Sequence, residues 1–348
     1  MSEEMRIVMP KYQATLEPPV IGAALVRASI SYDGLPVAIW STAEDLRKFF
    51  GRSNGGCTAN AYVDGVVDAL LTRHNADGKI IQKTPIFRFP VCYPHIQSLP
   101  LGAFLIIGGR SEWSVEENRA GHNAFIYNFE GKLIRSGTVG DAIDEVQALG
   151  DGTFWTSYFD EGIGEDLGWD PQFPSNDANL PPREPIEITG LIHWNSELEP
   201  IWVYPTMEEL RPRFGDRGAF YASMFHMSSM NFDVDQTVVL PSTSCSIITI
   251  ENHEITRYVD TQGEFKGVPG VAISGDRVLI WSWRGKPIIT LIDISDGYRV
   301  VENCELRYPK EFDTSPSSSS NYIGPTIHVI DEYGVWITLD INDVWPDE

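Results

Sequence analysis

A pair of short apolar runs joined by a tight polar turn recurs five times along this chain, at residues 69–84, 124–137, 191–205, 246–259 and 289–306. Alternating apolar and polar positions on either side of turns such as NADG, FEG and DG read as a β-hairpin each time. Ahead of each lies another two-strand unit, at 26–41, 95–109, 144–159, 228–242 and 270–283, and a sixth such unit spans 326–341. A hairpin pair of this size cannot bury a face by itself, so neighbouring repeats must stack to make the core. The pattern predicts an all-β, six-bladed β-propeller with four-stranded antiparallel blades. It also predicts one domain over residues 1–348, because blades are stable only against other blades.

The last hairpin is followed by too little chain for the outer strands of its blade. The N-terminal segment carries two β-compatible runs, MRIVM and KYQATL, separated by Pro10. Residues 5–16 are therefore predicted to supply an outer strand to the last blade and close the ring. Apolar positions of the inner strands, among them Val146, Ala148, Phe154, Ile280 and Trp336, are predicted to be buried.

Between the strands, insertions are expected at about 41–58, 160–189, 206–227 and 310–323. The first and third open with Ser41/Glu44 and Thr206/Glu209, each spaced as a helix capping box. The second holds a run of prolines that excludes helix or strand interiors. The stretch EFDTSPSSSSNY, 311–322, reads as a polar loop without chemistry. Propeller function normally resides on such loops at one face.

Charge narrows the partners. With 49 acidic against 26 basic residues the net charge is −23, which excludes a general affinity for nucleic acid or anionic membrane. The N-terminus lacks the basic and apolar regions of a secretory signal, and no apolar run approaches a bilayer span, so a cytoplasmic protein is expected. Cys57, Cys92, Cys245 and Cys304 lie far apart without metal-binding spacing and are expected as reduced thiols.

Reaction motifs are missing. GRSNGG (51–56) has the glycines of a phosphate cradle but no following Lys and no parallel βαβ context. The sequence has no GxSxG elbow, HExxH or EF-hand loop. The chemistry that remains is positional. Counting back seven residues from the first-hairpin turns at Gly34, Gly102 and Gly152 gives Arg27, His95 and Glu145, with Asp144 beside the last. These positions start innermost strands and converge on the channel mouth of a propeller. A second cluster, Asp160, Glu161 and Trp169, follows the third inner hairpin, where carboxylates on a Gly-rich loop can take a cation and an indole can stack on a cation or sugar. No cofactor is expected; a divalent cation such as Ca²⁺ is the one ion that the acidic loop is equipped to hold.

The segment 143–169, IDEVQALGDGTFWTSYFDEGIGEDLGW, followed by GLIHWN, resembles a group of uncharacterised bacterial propeller proteins, and more distantly the NHL-like and gluconolactonase-like six-bladed propellers. That resemblance implies the fold and no activity. In gluconolactonase-like propellers a metal is held by a Glu at the start of the first inner strand, with Asn and Asp from other blades. Here Arg27 stands near that position and Glu17 lies too far upstream, so no ligand carries over. The expected function is non-catalytic binding of a partner protein or a small, cationic or sugar-like ligand at one loop-rich face. The alternative is a metal-dependent hydrolase or lyase of the lactonase-like type, working at the channel mouth.

Overall fold

The computed structural model describes residues 5–51, 59–114, 116–117, 119–160, 186–224, 227–232, 236–241, 244, 246–261, 264–265, 270–283, 286–313 and 319–345. Two compact units emerge: Leu16–Tyr204, and Met1–Thr15 together with Pro205–Glu348. The N-terminal strands β1 (Ile7–Val8) and β2 (Lys11–Thr15) belong to the second of these.

The Leu16–Tyr204 unit holds three four-stranded antiparallel sheets. The first runs β3 (Ala23–Ile30), β4 (Pro36–Thr42), β5 (Ala69–His74), β6 (Ile80–Ile86) in spatial as in chain order. The second is built from β7 (Pro94–Ser98), β8 (Phe104–Gly108), β11 (Ala124–Tyr127) and β12 (Leu133–Gly137), with a small ribbon of β9 (Trp113–Ser114) and β10 (Arg119–Ala120) in its connection. The third is β13 (Ile143–Ala148), β14 (Phe154–Tyr158), β15 (Leu191–Trp194), β16 (Pro200–Val203).

The Met1–Thr15/Pro205–Glu348 unit contains β17 (Met227–Phe232), β18 (Thr237–Pro241), β19 (Ile247–Glu251) and β20 (Glu254–Val259), then β21 (Gly270–Ser274), β22 (Arg277–Trp283), β23 (Pro287–Asp293) and β24 (Arg299–Leu306). Finally come β25 (Ser319–Ile323), β26 (Thr326–Ile330) and β27 (Val335–Asp340). Strand β2 pairs antiparallel with β27, giving the four-stranded order β25-β26-β27-β2, and β1 adds in parallel to the outside of β24. A single parallel bridge, Phe232 with Ile323, joins β17 to β25 and merges two four-stranded halves into one sheet. These repeated meanders make a propeller-like all-β fold. The N-terminal segment thus supplies the outer strand of the last sheet, as its sequence indicates.

Faces of successive sheets are covered by each other. One core combines Val37, Ile39 and Leu71 of the first sheet with Ile96, Phe104 and Ile106 of the second. Another combines Ile107 and Ile126 with Val146, Phe154 and Trp194, the last two rings stacked at 6.2 Å. Val146, Ala148, Phe154, Ile280 and Trp336 are all buried, so the strand register expected for them holds. The outer hairpins of the Leu16–Tyr204 unit share one turn chemistry. Asn75, Asn128 and Asn195 each accept two backbone N–H groups from the next four residues, which fixes the loop before any side chain packs. Gly131 in the second of these turns has φ 82°, and a Cβ there would lie 2.2 Å from the Pro85 carbonyl oxygen.

Three local readings need correction. Residues 319–322, expected as part of a polar loop, are the innermost strand β25, with Ser319 and Tyr322 buried. Ser41 is not a helix cap: it ends in strand β4, and its hydroxyl donates to the Asp68 carbonyl at 2.9 Å. The turn of 3₁₀ helix that follows, Leu46–Phe50, starts instead from Asp45, whose carboxylate accepts from the Thr42 hydroxyl. The Thr206/Glu209 capping box is present, but it opens a 16-residue helix, α1 (Met207–Ala222), that bends at Gly215 rather than a short one. A last helical turn, α2 (Ile341–Val344), is capped by Asp340. Cys92 and Cys304 are buried free thiols, while Cys57 and Cys245 lie outside the described residues.

Candidate functional site

The Leu16–Tyr204 unit brings Arg27 within electrostatic reach of His95, Asp144 and Glu145. Each comes from an innermost strand: Arg27 from β3, His95 from β7, Asp144 and Glu145 from β13. β3 and β7 are direct neighbours, as are β7 and β13. Two of these strands are bulged at the site, with register shifts between Leu25 and Arg27 and between Ile143 and Val146. A bulge adds a residue to one strand and re-aims its side chains, which is how a continuous sheet edge can present charge where it would otherwise present its apolar face. Each strand is also entered through a left-handed residue: Gly22 at φ 81°, Tyr93 at 48° and Ala142 at 57°. For the two non-glycine residues this conformation is strained, and such strain persists where surrounding contacts over-determine it.

The electrostatics follow from crowding. Burial pushes the pKa of the Arg27 guanidinium down while Asp144 and Glu145 pull it back up. The His95 imidazole is pushed down to about 3, first by burial and then by the positive charge of Arg27, against a hydrogen bond to the Ile143 backbone. At neutral pH the cluster therefore holds one guanidinium, one neutral imidazole and two carboxyl groups. Both Arg27 and His95 keep part of their surface in contact with solvent.

One step further along the same strands lies a second polar layer that motif reasoning missed. Gln97 Nε2 donates to Ser29 Oγ at 2.6 Å, and Gln97 Oε1 accepts from Gln147 Nε2 and from the Ala148 N–H, both at 3.2 Å. Ser31 and Ser98 hydrogen-bond beyond them. All five side chains are buried. The signal was available: Arg27–Ser29–Ser31, His95–Gln97 and Glu145–Gln147 repeat at the period of a strand, on strands that are otherwise apolar.

A buried ion pair holds the approach to β13. Arg110 Nε and Nη2 donate to the two Asp141 carboxylate oxygens at 3.0 and 2.9 Å, the Ser111 N–H donates to Oδ1 at 2.6 Å, and Glu187 Oε1 accepts from the Asp141 N–H at 3.1 Å. Burial pushes the Asp141 carboxyl up despite Arg110. Asp141 thereby positions Ala142 and, through it, the bulge that carries Asp144 and Glu145.

Asp160 follows Tyr158, which pairs with Ile143, so it lies at the same end of the β13–β14 hairpin as Glu145. Glu161, Trp169 and the proline-rich run of the 160–189 insertion fall outside the described residues, as does most of GRSNGG. Among the described residues no group of three or more His, Cys, Asp or Glu side chains is placed to hold a metal ion, and no helix is long and apolar enough to cross a membrane.

No family model matches this chain, and no curated protein matches it. Solved structures similar to it include Hsv2 from Kluyveromyces lactis, at 10% identity over 93% of this chain and 74% of that one with a TM-score of 0.46. A catalytically inactive virginiamycin B lyase from Staphylococcus aureus with quinupristin is similar at 12% identity, 94% and 98% coverage and a TM-score of 0.43. A gluconolactonase from Xanthomonas campestris is similar at 9% identity, 94% and 98% coverage and a TM-score of 0.40. At these values neither ligand nor activity passes from those proteins to this chain.

Proposed function

We propose that this chain is a six-bladed propeller that binds a small cationic or sugar-like ligand, without transforming it, at the mouth formed by Arg27, His95, Asp144 and Glu145. The observation that carries this reading is the convergence of the four side chains from three adjacent, bulged or strained innermost strands. Polar groups are costly to gather in an apolar sheet edge, and a concave cluster of them is the usual form of a recognition site. Two carboxyl groups outnumber the one guanidinium, and neutral His95 adds hydrogen-bonding capacity without charge. That balance suits an amine or a polyhydroxy compound better than an anion.

A thermal-shift panel of amines, sugars and anions tests it, since a ligand that binds only the folded chain raises its melting temperature by mass action. The expected result is a shift from a cationic or sugar-like compound that is lost in Glu145→Gln or Asp144→Asn protein which still melts cooperatively. The same shift in both variants would remove these residues from the site.

A further inference from the structure

We propose a second site, independent of the axial cluster: a pocket in the first sheet that takes a small organic cation with an apolar or aromatic body. The pocket has a volume of about 280 Å³ and opens where β3 and β5 begin and where β4 and β6 end. Its floor is the buried Trp40 indole with Ala69 and Ile86, and its rim is Val20, Ile21 and Phe87. The rim is unusual. Ile21 is fully exposed, Phe87 is 75% exposed and Val20 is half exposed, so three large apolar side chains stand in water around one cavity. Scattered surface apolar groups need no explanation, but a cluster surrounding a concavity marks a place where something apolar is meant to be covered.

Charge selects the occupant. Among the described residues, the only ionisable side chain in the wall is Asp68. Its Oδ1 accepts from the Arg88 N–H at 3.0 Å, and among the described residues no Lys or Arg forms an ion pair with it. Its backbone is pinned from the other side, where the Ser41 hydroxyl donates to the Asp68 carbonyl. The carboxylate is thus oriented by one backbone N–H, on a backbone held by the Ser41 hydroxyl, and retains acceptor capacity for a ligand. Arg88, at φ 57°, turns the chain immediately after Phe87, so a single turn fixes both the aromatic wall and the donor that orients Asp68. An apolar cavity with two aromatic walls and one oriented carboxylate suits an aryl- or alkylammonium ion: the apolar body fills the cavity, and the ammonium meets Asp68 and the ring faces. On a chain carrying −23 overall, long-range attraction acts in the same direction.

The experiment uses 4-fluorophenethylammonium as the probe, followed by ¹⁹F line broadening on the whole chain, with neutral 2-(4-fluorophenyl)ethanol and the anion 4-fluorophenylacetate beside it. The expected result is broadening of the cation in the millimolar range, with weaker broadening of the alcohol and none of the acetate. Asp68→Asn is expected to weaken the cation about three- to fivefold and bring it level with the alcohol. Phe87→Ala, at an exposed position that does not threaten folding, is expected to weaken both. Broadening that falls in Asp68→Asn and Phe87→Ala belongs to this pocket, whereas any part that falls instead in Glu145→Gln belongs to the axial cluster. No broadening of the cation at 10-fold excess over about 1 mM, equal broadening of cation and anion, or insensitivity to both Asp68→Asn and Phe87→Ala would overturn the proposal.

Discussion

The guanidinium of Arg27 and the imidazole of His95, carried on neighbouring strands, are coupled: the fixed positive charge of the first adds to burial in keeping the second neutral. A histidine held in this way makes the fold sensitive to acid in a defined direction.

The His95 pKa lies at about 3 in the folded chain, below the ordinary value of 6.5. Its contribution to stability is therefore complete above 6.5 and is lost as the pH falls toward 3, because in that interval the unfolded chain binds a proton that the folded one does not. Through it, stability is expected to fall by about 1.4 kcal/mol for each pH unit below about 6. His328, pushed down to about 4 by burial, acts in the same sense, so the test is a difference. Denaturant unfolding at pH 7, 6 and 5 should show a shallower acid loss in His95→Gln than in the parent chain, and an NMR titration of Arg27→Met should show the His95 pKa moving up. Parallel pH curves for parent and His95→Gln would contradict the assignment.

Ala142 and Ala148 are equally buried and lie at opposite ends of the same strand region, but only Ala142 is left-handed. Glycine relieves a left-handed backbone of roughly 1–2 kcal/mol, whereas in a strand it only loses a methyl group and ordering entropy. Ala142→Gly is therefore expected to be more stable than Ala148→Gly by about 1–2 kcal/mol in urea unfolding. Equal losses would show that the bend into β13 carries no strain.

Removal of residues 1–15 deletes β1 and β2, the buried Val8 and Ala14, and the Arg6–Glu302 ion pair at 2.7 Å. It also uncovers the outer edge of β27. The loss of buried apolar surface alone is expected to lower stability by about 3 kcal/mol, read as an earlier thermal transition. A truncated chain melting within about a degree of the full one would mean that the N-terminal pairing contributes nothing.

Where sheet formation depends on side-chain period, the sequence shows it directly. β13–β14 and β21–β22 alternate or run apolar between turn residues, and their registers could be placed by counting from the turn. The same counting lands on Arg27, His95 and Glu145 within β3, β7 and β13, although these strands begin at unequal distances before their turns, at Ala23, Pro94 and Ile143. β25 escaped because its sequence, SSNYI, has no hydrophobic period; it is a strand through five backbone pairings to β26, which a serine run makes as well as a valine run does. The bulges beside Arg27 and Glu145 were invisible for a related reason: an extra residue in one strand changes no local composition. Gln97 and Gln147 were passed over because amides carry no reaction signature, although their place on apolar strands sets them apart.

The pairing of β1 with β24 and of β2 with β27 puts the order of synthesis at odds with the order of assembly. Residues 16–204 form a compact unit from contiguous chain and can fold as they leave the ribosome. Residues 7–15 emerge before them, yet their partners at 305–306 and 335–338 are made only after that unit is complete. Until those partners appear β1 and β2 remain unpaired, so the edges of β24 and β27 are closed by chain made well before them.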